Sequence, residues 1–349
     1  MPNPSIDAAD LHLIQTHVHE EVWSALKNQS IFITGGTGFI GCWLVESLLH
    51  ANKVLGLNIS ITILSRNPKA FQDKAPHLAF AENISLIQGD VANLSSISGH
   101  YDTIIHAATD VVQPKADPLS VFNDIKSGTD EILALAQRSA TTRFLLTSSG
   151  AIYGRQPPEI SHVAENFSGS PDLLNAKSAY GLGKRYSEWL TNLQHQQTGL
   201  DVKIARCFAF AGPYMALDAQ FAIGNFIGDC INGRDIIIGG DGSPYRSYLY
   251  AADLIIWLLT ILIKGDNLPY NVGSDNALQI SSLANEVRTA LESDNKIIIQ
   301  KTPDSSKLPE RYIPSTERVA TLGLKEYTSL KEAIIKTANW NKKAKELSA

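Results

Sequence analysis

The residues best suited to chemistry are a tyrosine and a lysine four positions apart, Tyr180 and Lys184, in the run Ser178-Ala-Tyr-Gly-Leu-Gly-Lys184. On a helix, residues i and i+4 share one face, so the ammonium group would lie beside the phenol. A phenol has an unperturbed pKa of about 10, and a nearby cation lowers that pKa. The pair therefore predicts a tyrosine that exchanges protons near neutral pH.

Hydroxyl side chains precede this pair in the chain. The apolar run Phe144-Leu-Leu-Thr147 ends in Ser148-Ser149-Gly150-Ala151-Ile152-Tyr153-Gly154. A serine at the end of a strand could bind the same substrate oxygen as the tyrosine and orient it. A Tyr-x-x-x-Lys pair alone occurs by chance on many helices. Together with the serine-rich strand end and the glycine turn described next, it indicates a catalytic site.

A glycine turn near the start of the chain predicts where a cofactor binds. Ile31-Phe-Ile-Thr34 favours a strand, and the apolar helical run Cys42 to Leu49 follows the turn. A strand that turns directly into a helix points free N–H groups and the helix dipole at one spot, and glycines allow close approach of a pyrophosphate. A purely structural turn is the alternative. The predicted dinucleotide-binding residues here are Gly35, Thr37, Gly38, Phe39, Ile40 and Gly41, and we expect Tyr180 and Lys184 at the nicotinamide ribose.

The end of the second predicted strand bears on the choice of cofactor. In this architecture a carboxylate at that position holds the adenosine ribose, but the only acid between Gly41 and Asp73 is Glu46, inside the preceding helix. Ser65 and Arg66 stand there instead. A guanidinium suits a phosphate and can stack on adenine, so the sequence favours NADP(H) over NAD(H). In the alternative, Arg66 is a solvated loop residue and NAD binds without the usual acid.

Two further strand ends complete the predicted cofactor site. The third strand leads to Asp90 and Val91, where the carboxylate could accept from the adenine amino group or only cap the following turn. The fourth strand ends at His106 and continues into Ala107 and Ala108, which are small enough for the backbone to lie against a cofactor. His106 is bounded by apolar residues, so we expect a structural histidine rather than a catalytic base.

Strands and helices alternate along the chain without a repeat or low-complexity linker, which predicts an α/β fold with a doubly wound parallel Rossmann sheet and a smaller C-terminal α+β substrate lobe. Leu11, Ile14, Val18 and Val22 fall at helical spacing, so we expect one amphipathic helix from Ala8 to Lys27. The predicted division is an N-terminal helical extension (1–29), a dinucleotide-binding domain (30–205, completed by about 250–273) and a substrate lobe (206–249 and 274–349).

Composition narrows the classes of function. The 349 residues carry a formal net charge of −5, which gives nucleic-acid binding no electrostatic support. The longest apolar run, Leu254 to Ile263, is too short to span a bilayer, and no signal-peptide layout is present, so we expect a cytoplasmic protein. The three cysteines are scattered and His17 and His19 do not share a helix face, so no metal site is predicted.

The motifs Gly-Gly-Thr-Gly-Phe-Ile-Gly, Ser-Ser-Gly-Ala-Ile-Tyr-Gly and Tyr-Gly-Leu-Gly-Lys together resemble the extended short-chain dehydrogenase/reductase family, above all its nucleotide-sugar epimerases, dehydratases, decarboxylases and 4-ketoreductases. The resemblance covers nearly all of residues 30–340. It implies that Ser149 is the catalytic serine and that Gly150-Ala151 is the variable pair after it. Dehydratases of this family carry Asp-Glu at that pair for proton transfer around C5 and C6. Gly150 and Ala151 cannot transfer protons, which argues against dehydration.

The resemblance also implies the substrate contacts. Asn225, Arg246 and Arg311 match diphosphate-binding positions of the family, and bidentate arginines suit phosphate; the alternative for both arginines is a surface ion pair. Ala209 stands where many relatives have an asparagine that helps to hold the sugar nucleotide. Family members commonly dimerise through the helices that flank the Tyr–Lys face, so we expect a homodimer.

The favoured hypothesis is reduction of a 4-keto(-6-deoxy) nucleotide hexose at C4. Tyr180 would be the acid/base, Lys184 would tune it and hold ribose, and Ser149 would bind the reacting oxygen. The alternatives are a nucleotide-sugar 4-epimerase with tightly held NAD, and a nucleotide-uronic acid decarboxylase in which Arg246 helps to hold the acid. A non-catalytic dinucleotide-binding regulator is the alternative of another class, but such members typically lose the tyrosine or the lysine.

Overall fold

A seven-stranded parallel sheet forms the centre of the protein, whose structure, a computed structural model, describes residues 2–108, 117–219, 221–304, 306 and 308–347. In spatial order the strands are β11 (Pro269–Val272), β6 (Asp201–Cys207), β5 (Arg143–Ser149), β4 (Thr103–His106), β1 (Ser30–Thr34), β2 (Ser60–Ser65) and β3 (Ile84–Gln88). The order reverses between the neighbours β1 and β4, where a ligand crevice opens at the carboxyl ends of such sheets. The predicted doubly wound α/β fold is confirmed.

Helices cover both faces of this sheet. One layer contains α1 (Ala8–His17), α2 (Glu20–Leu26), α3 (Phe39–Leu55) and α9 (Ala251–Lys264), and the other contains α6 (Pro118–Arg138) and α7 (Ala179–Thr198). Successive strand residues point to opposite layers, so Ile31 and Ile33 pack with Leu44 of α3, whereas Phe32 packs with Leu133 of α6. Burial of both faces explains why these strands are almost continuously apolar.

The N-terminal extension differs from the prediction. Two helices, α1 and α2, replace the single helix expected from Ala8 to Lys27. Val18 and His19 have extended backbones between them, and the His19 Nδ1 accepts a hydrogen bond from the N–H of Glu21 at 3.3 Å, which starts a new helix. The predicted apolar face still forms the contact, because Ile14, Val18 and Val22 are buried.

Buried polar contacts tie this extension to both ends of the fold. The Asp10 carboxylate is 1% exposed; it accepts from the Tyr250 hydroxyl at 2.7 Å and pairs with Lys336 of the last helix, α12 (Leu330–Glu346). On α3, the Glu46 carboxylate accepts from the N–H of Ile6 at 2.8 Å. The extension therefore connects the helix after the glycine turn with the C-terminal helix.

Smaller elements complete the fold around the carboxyl ends of the strands. Three small sheets pair β7 (Phe210–Ala211) with β10 (Leu249–Tyr250), β8 (Ile236–Ile238) with β13 (Ile297–Ile299), and β9 (Tyr245–Arg246) with both β12 (Leu278–Gln279) and β14 (Arg311–Tyr312). The remaining helices are α4 (Pro68–Lys74), α5 (Pro76–Ala79), α8 (Ala222–Ile231), α10 (Ile280–Ala290) and α11 (Glu317–Ala320), with 3-10 turns at Gly150–Tyr153 and Ala176–Ser178. Within the described ranges, no helix has the length and apolar character needed to cross a bilayer.

Candidate active site

The glycine turn has the backbone geometry that a dinucleotide needs. Gly35 has φ +73°, and a Cβ on it would lie 2.6 Å from the carbonyl of Ala107. A Cβ on Gly41 would lie 2.2 Å from the Gly35 oxygen, so the turn packs directly on the first turn of α3. Gly38 is the N-cap of α3, and no side chain in the described part of the chain caps this helix. Its first N–H groups therefore fit the pyrophosphate of a dinucleotide.

The end of β4 lies against this turn. The Ala107 N–H donates to the Thr34 carbonyl at 3.1 Å, and the Ala108 N–H donates to the Thr34 hydroxyl at 3.2 Å. The same hydroxyl contacts the His106 Nδ1 at 2.8 Å. Burial lowers the pKa of His106 to about 3, so its ring is neutral at physiological pH. These contacts support the structural interpretation of His106.

The predicted adenosine contacts lie at the ends of β2 and β3. Ser65 is buried and its hydroxyl accepts from the N–H of Asn67 at 3.2 Å, whereas Arg66 next to it is exposed. Asp90 is exposed and accepts from the N–H of Ala92 at 2.9 Å, which supports the turn-cap alternative. Val91 packs against Gly128 of α6. Adenine or ribose binding by these residues stays a prediction.

One cation near the cofactor turn was not predicted. The Lys74 ammonium group, at the end of α4, donates to the carbonyl of Thr37 at 3.0 Å. This hydrogen bond connects α4 to the glycine turn. Its position far along the chain in a polar segment gave no local pattern from which this contact could be predicted.

The proposed catalytic trio meets at the carboxyl end of β5. The Ser149 hydroxyl lies close enough to the Tyr180 phenol to oppose the rise in its pKa. The Lys184 ammonium group is 2% exposed and donates to the Thr147 carbonyl at 2.8 Å, so β5 holds the lysine from α7. A strand end and the first two turns of one helix thus place Ser149, Tyr180 and Lys184 together.

The pKa values of Tyr180 and Lys184 in the protein alone differ from those that the sequence predicts. Burial raises the pKa of Tyr180 above its usual value of about 10, although the Ser149 hydroxyl acts in the opposite direction. Burial also lowers the pKa of Lys184 to about 8. Desolvation of the phenol is the largest contribution to this shift, and the opposing contribution comes from Ser149 rather than from Lys184, so the lysine does not lower the tyrosine pKa as predicted.

A buried polar network that was not predicted lies beside the trio. Glu188, one turn after Lys184, accepts from the Ser148 hydroxyl at 2.5 Å and from Arg206 at 2.8 Å. Arg206 also donates to the Tyr153 hydroxyl at 2.8 Å. The network fixes the end of β5 against α7 and β6. Two patterns could have revealed it: Glu188 repeats the four-residue spacing of the Tyr–Lys pair, and Arg206 stands between the apolar pairs Ile204-Ala205 and Cys207-Phe208.

The substrate lobe places the two predicted arginines differently. In the pairing of β14 with β9, Tyr312 lies opposite Arg246, and Arg311 lies opposite Tyr245. Neighbouring positions on a strand point to opposite faces, so Arg246 and Arg311 do not share a face. The Arg311 guanidinium stacks over the Tyr245 ring at 4.2 Å from its centroid. Asn225 is half-buried in the first turn of α8. Diphosphate binding by all three remains a prediction.

With this geometry established, comparison with known proteins identifies the family. The sequence profile of the NAD dependent epimerase/dehydratase family matches residues 31–273. The chain belongs to this family. The resemblance to extended short-chain dehydrogenases/reductases is thereby confirmed, and the protein is a nicotinamide-dependent enzyme of the epimerase/dehydratase type.

Individual relatives of this family member cover most of its length. UDP-glucuronic acid decarboxylase 5 of Arabidopsis thaliana is 30% identical over 313 residues, which span 88% of each chain. Among solved structures, a UDP-N-acetylglucosamine 4-epimerase from Methanobrevibacter ruminantium has a TM-score of 0.78 at 21% identity and covers 91% of this chain and 99% of its own. The Bordetella bronchiseptica enzyme WbmF, in complex with NAD+ and UDP, has a TM-score of 0.74 at 19% identity and covers 93% and 95%.

Proposed function

We propose that the enzyme transfers hydride between C4 of a nucleotide-linked hexose and a nicotinamide dinucleotide. The observation that carries this proposal is the convergence of Ser149, Tyr180 and Lys184 at the sheet edge next to the glycine turn. The Arabidopsis relative is named for a UDP sugar, and the WbmF structure contains NAD+ and UDP, which supports a nucleotide sugar and NAD. The bound dinucleotide would supply the hydride acceptor and donor.

Each member of the trio has one proposed role. As hydride leaves C4, Tyr180 takes the proton of the C4 hydroxyl as a phenolate, a form that the cationic nicotinamide of a bound oxidised dinucleotide would favour, and on reduction the phenol returns that proton. The Ser149 hydroxyl donates to the same sugar oxygen and orients it. With a pKa of about 8, Lys184 is mostly charged at pH 7 and can hold the ribose of the dinucleotide.

For the overall reaction we propose decarboxylation of a UDP-linked uronic acid. This alternative of the sequence analysis has more support from the relatives than the 4-ketoreduction favoured there. Oxidation at C4 makes the C6 carboxylate a β-keto acid, so carbon dioxide can leave with its electrons passing towards the C4 oxygen. Unlike dehydration, this step needs no base at Gly150-Ala151. On the substrate side, Arg246 is the proposed carboxylate ligand.

4-Ketoreduction remains the second candidate because of one specific observation. Gly150 and Ala151 offer no proton-transfer group, and a simple ketoreductase needs none beyond the trio. The 4-epimerases among the structural neighbours are about 20% identical, so they support the fold alone.

Parallel assays of the purified enzyme separate these reactions. With UDP-glucuronic acid and NAD+, a decarboxylase releases carbon dioxide and forms a UDP-pentose, detected by NMR. With a 4-keto-6-deoxy nucleotide hexose, a ketoreductase bleaches NADH or NADPH at 340 nm stoichiometrically. An epimerase interconverts UDP-glucose and UDP-galactose without added cofactor. Tight dinucleotide binding with no turnover of any of these substrates would support the regulator and refute the proposed function.

The choice between NAD and NADP depends on Arg66. Its exposed position at the end of β2 supports contact with a 2′-phosphate, while the family description supports use of NAD. We propose that NADP(H) binds through Arg66 in addition to NAD(H). Because a charge-assisted hydrogen bond contributes about 1.5–3 kcal/mol, Arg66→Ala should weaken NADPH binding roughly tenfold or more and leave NADH binding within about twofold. Equal losses for both cofactors in titration calorimetry would contradict this assignment.

We also propose that the enzyme is a homodimer in which α6 and α7 form the contact. Trp189 on α7 is 60% exposed, and Leu119 on α6 is 66% exposed. Large apolar side chains on two adjacent helices are typical of a protein interface. Light scattering should give twice the mass of the 38.0 kDa chain, and Trp189→Glu should give the monomer. A monomeric wild-type protein would refute the proposal.

A further inference from the structure

The space beside Gly150 is filled by two aromatic residues from outside the Rossmann half. A Cβ on Gly150 would lie 2.8 Å from the Tyr312 hydroxyl and 2.7 Å from the Phe208 ring. These two rings pack with centroids 4.7 Å apart. Real Cβ atoms do not approach other atoms so closely, so residue 150 must be small for Tyr312 to reach this point. The phenol thus stands where a side chain at the variable pair would begin.

The Tyr312 hydroxyl belongs to the same cluster as the trio. The Ser149 hydroxyl opposes the rise in pKa of both Tyr180 and Tyr312, and the Ala151 backbone does the same for Tyr312, so both phenols lie near the end of β5. The short strand β14 holds Tyr312 opposite Arg246 on β9, on one face of that sheet. Two phenols therefore flank one serine at the end of β5.

This second phenol is protonated near neutral pH and can donate. Burial raises the pKa of Tyr312 to about 12, although the Ser149 hydroxyl opposes the shift. The proposed decarboxylation needs such a donor. Loss of carbon dioxide leaves an enolate whose C5 must gain a proton, Tyr180 is occupied at the C4 oxygen, and neither residue of the variable pair carries an acid.

We propose that Tyr312 is a further catalytic residue that donates a proton to C5 of the sugar; this rests on the proposed decarboxylation. The C5–C6 bond breaks, carbon dioxide leaves, and the bonding electrons form the C4–C5 enolate. The enolate then takes the proton of the Tyr312 hydroxyl to form the C5–H bond and restore the C4 ketone. The electron pair of the broken O–H bond stays on the Tyr312 oxygen, near the Arg246 cation and the Ala151 N–H, until solvent returns a proton.

Tyr312→Phe tests this role because it keeps the ring against Phe208 and removes only the hydroxyl. The full-length enzyme is assayed with UDP-glucuronic acid and NAD+ in D2O. A lost proton donor should lower kcat by roughly a hundredfold with KM within about threefold. Deuterium at C5 should change from one face to a mixture of both. Tyr327→Phe, a phenol on the His17 ring outside the cluster, is the matched control and should behave like wild type.

A second variant covers the possibility that Tyr312→Phe does not fold. Incorporation of 3,5-difluorotyrosine at position 312 keeps the hydroxyl and makes it a stronger acid, so deuterium at C5 should stay on one face and kcat should stay within about tenfold of wild type. A Tyr312→Phe enzyme with near wild-type kcat and deuterium on one face, or a difluorotyrosine enzyme that places deuterium on both faces, would overturn the Tyr312 role alone. Wild-type enzyme that releases no carbon dioxide would overturn the proposed reaction and this role together.

Discussion

Removal of the Glu188 carboxylate tests whether the buried network supports the site. The side chains of Glu188 and Arg206 are 10% and 11% exposed, and the carboxylate accepts from the guanidinium at 2.8 and 3.0 Å. Among the residues that the structure describes, Glu188→Ala would leave the buried guanidinium with the Tyr153 hydroxyl and the Glu165 carbonyl as its hydrogen-bond partners. Breaking a buried ion pair in this way costs about 3–5 kcal/mol.

This cost converts into a measurable change in melting temperature. Unfolding entropy is about 2.1 cal/mol/K per residue, so a 349-residue chain that unfolds as one unit has about 0.7 kcal/mol/K. Glu188→Ala should therefore lower Tm by roughly 4–7 °C in scanning calorimetry. We also expect kcat to fall, because Ser148 next to Ser149 loses its hydrogen-bond acceptor.

Two further variants make the test specific. Asp73→Ala breaks the exposed Lys69–Asp73 pair, whose side chains are 77% and 59% exposed, and should lower Tm by about 1 °C or less. The double variant Glu188→Leu/Arg206→Met removes both charges and should recover most of the lost stability but not the activity. A Tm change below about 2 °C for Glu188→Ala, or a double variant less stable than Glu188→Ala, would refute the reasoning.

Three other outcomes are expected. Tyr180→Phe should lower kcat by roughly a hundredfold or more while NADH binding stays within about twofold; retained turnover would exclude Tyr180 as the acid/base. Gly41→Ala should abolish NADH binding in fluorescence titration, because its Cβ would lie 2.2 Å from the Gly35 oxygen. The control is Gly233→Ala, where a Cβ meets open space; it should cost only about 1 kcal/mol of stability and leave NADH binding unchanged. The His106 pKa of about 3 in the folded protein lies below its unfolded value of about 6.5, so the unfolded state binds one more proton between these pH values. The free energy of unfolding should therefore fall by about 1.4 kcal/mol per pH unit as the pH drops through this range. His106→Gln should flatten that slope in denaturant titrations.

Local patterns predicted the fold and the centre of the site. β1 and β5 contain the predicted apolar runs Ile31–Thr34 and Phe144–Thr147, because strands buried on both faces leave a continuous apolar signature. The Ser329–Glu332 capping box that starts α12 is also a local pattern, since its two partners lie three residues apart. The seven-stranded sheet follows from the same alternation of strands and helices.

Features that depend on distant parts of the chain escaped prediction. Tyr312 reaches Ser149 only through the pairing of β14 with β9, and a two-residue strand leaves no periodic pattern. The opposite faces of Arg246 and Arg311 follow from the same register. The break between α1 and α2 was missed because the apolar spacing continues through it, and only the capping contact of His19 reveals it.

The N-terminal extension packs against the C-terminal helix α12. The carbonyl of Pro4 accepts from the Trp340 indole at 3.0 Å, and Asp10 holds Tyr250 and Lys336. A variant truncated to begin at β1 would therefore lose the partners of the Trp340 indole, the Tyr250 phenol and the Lys336 ammonium group together. All three lie in the helix layer that packs behind the glycine turn. Residues 2–29 pack across that layer, so a minimal nucleotide-binding fragment of this enzyme should include them.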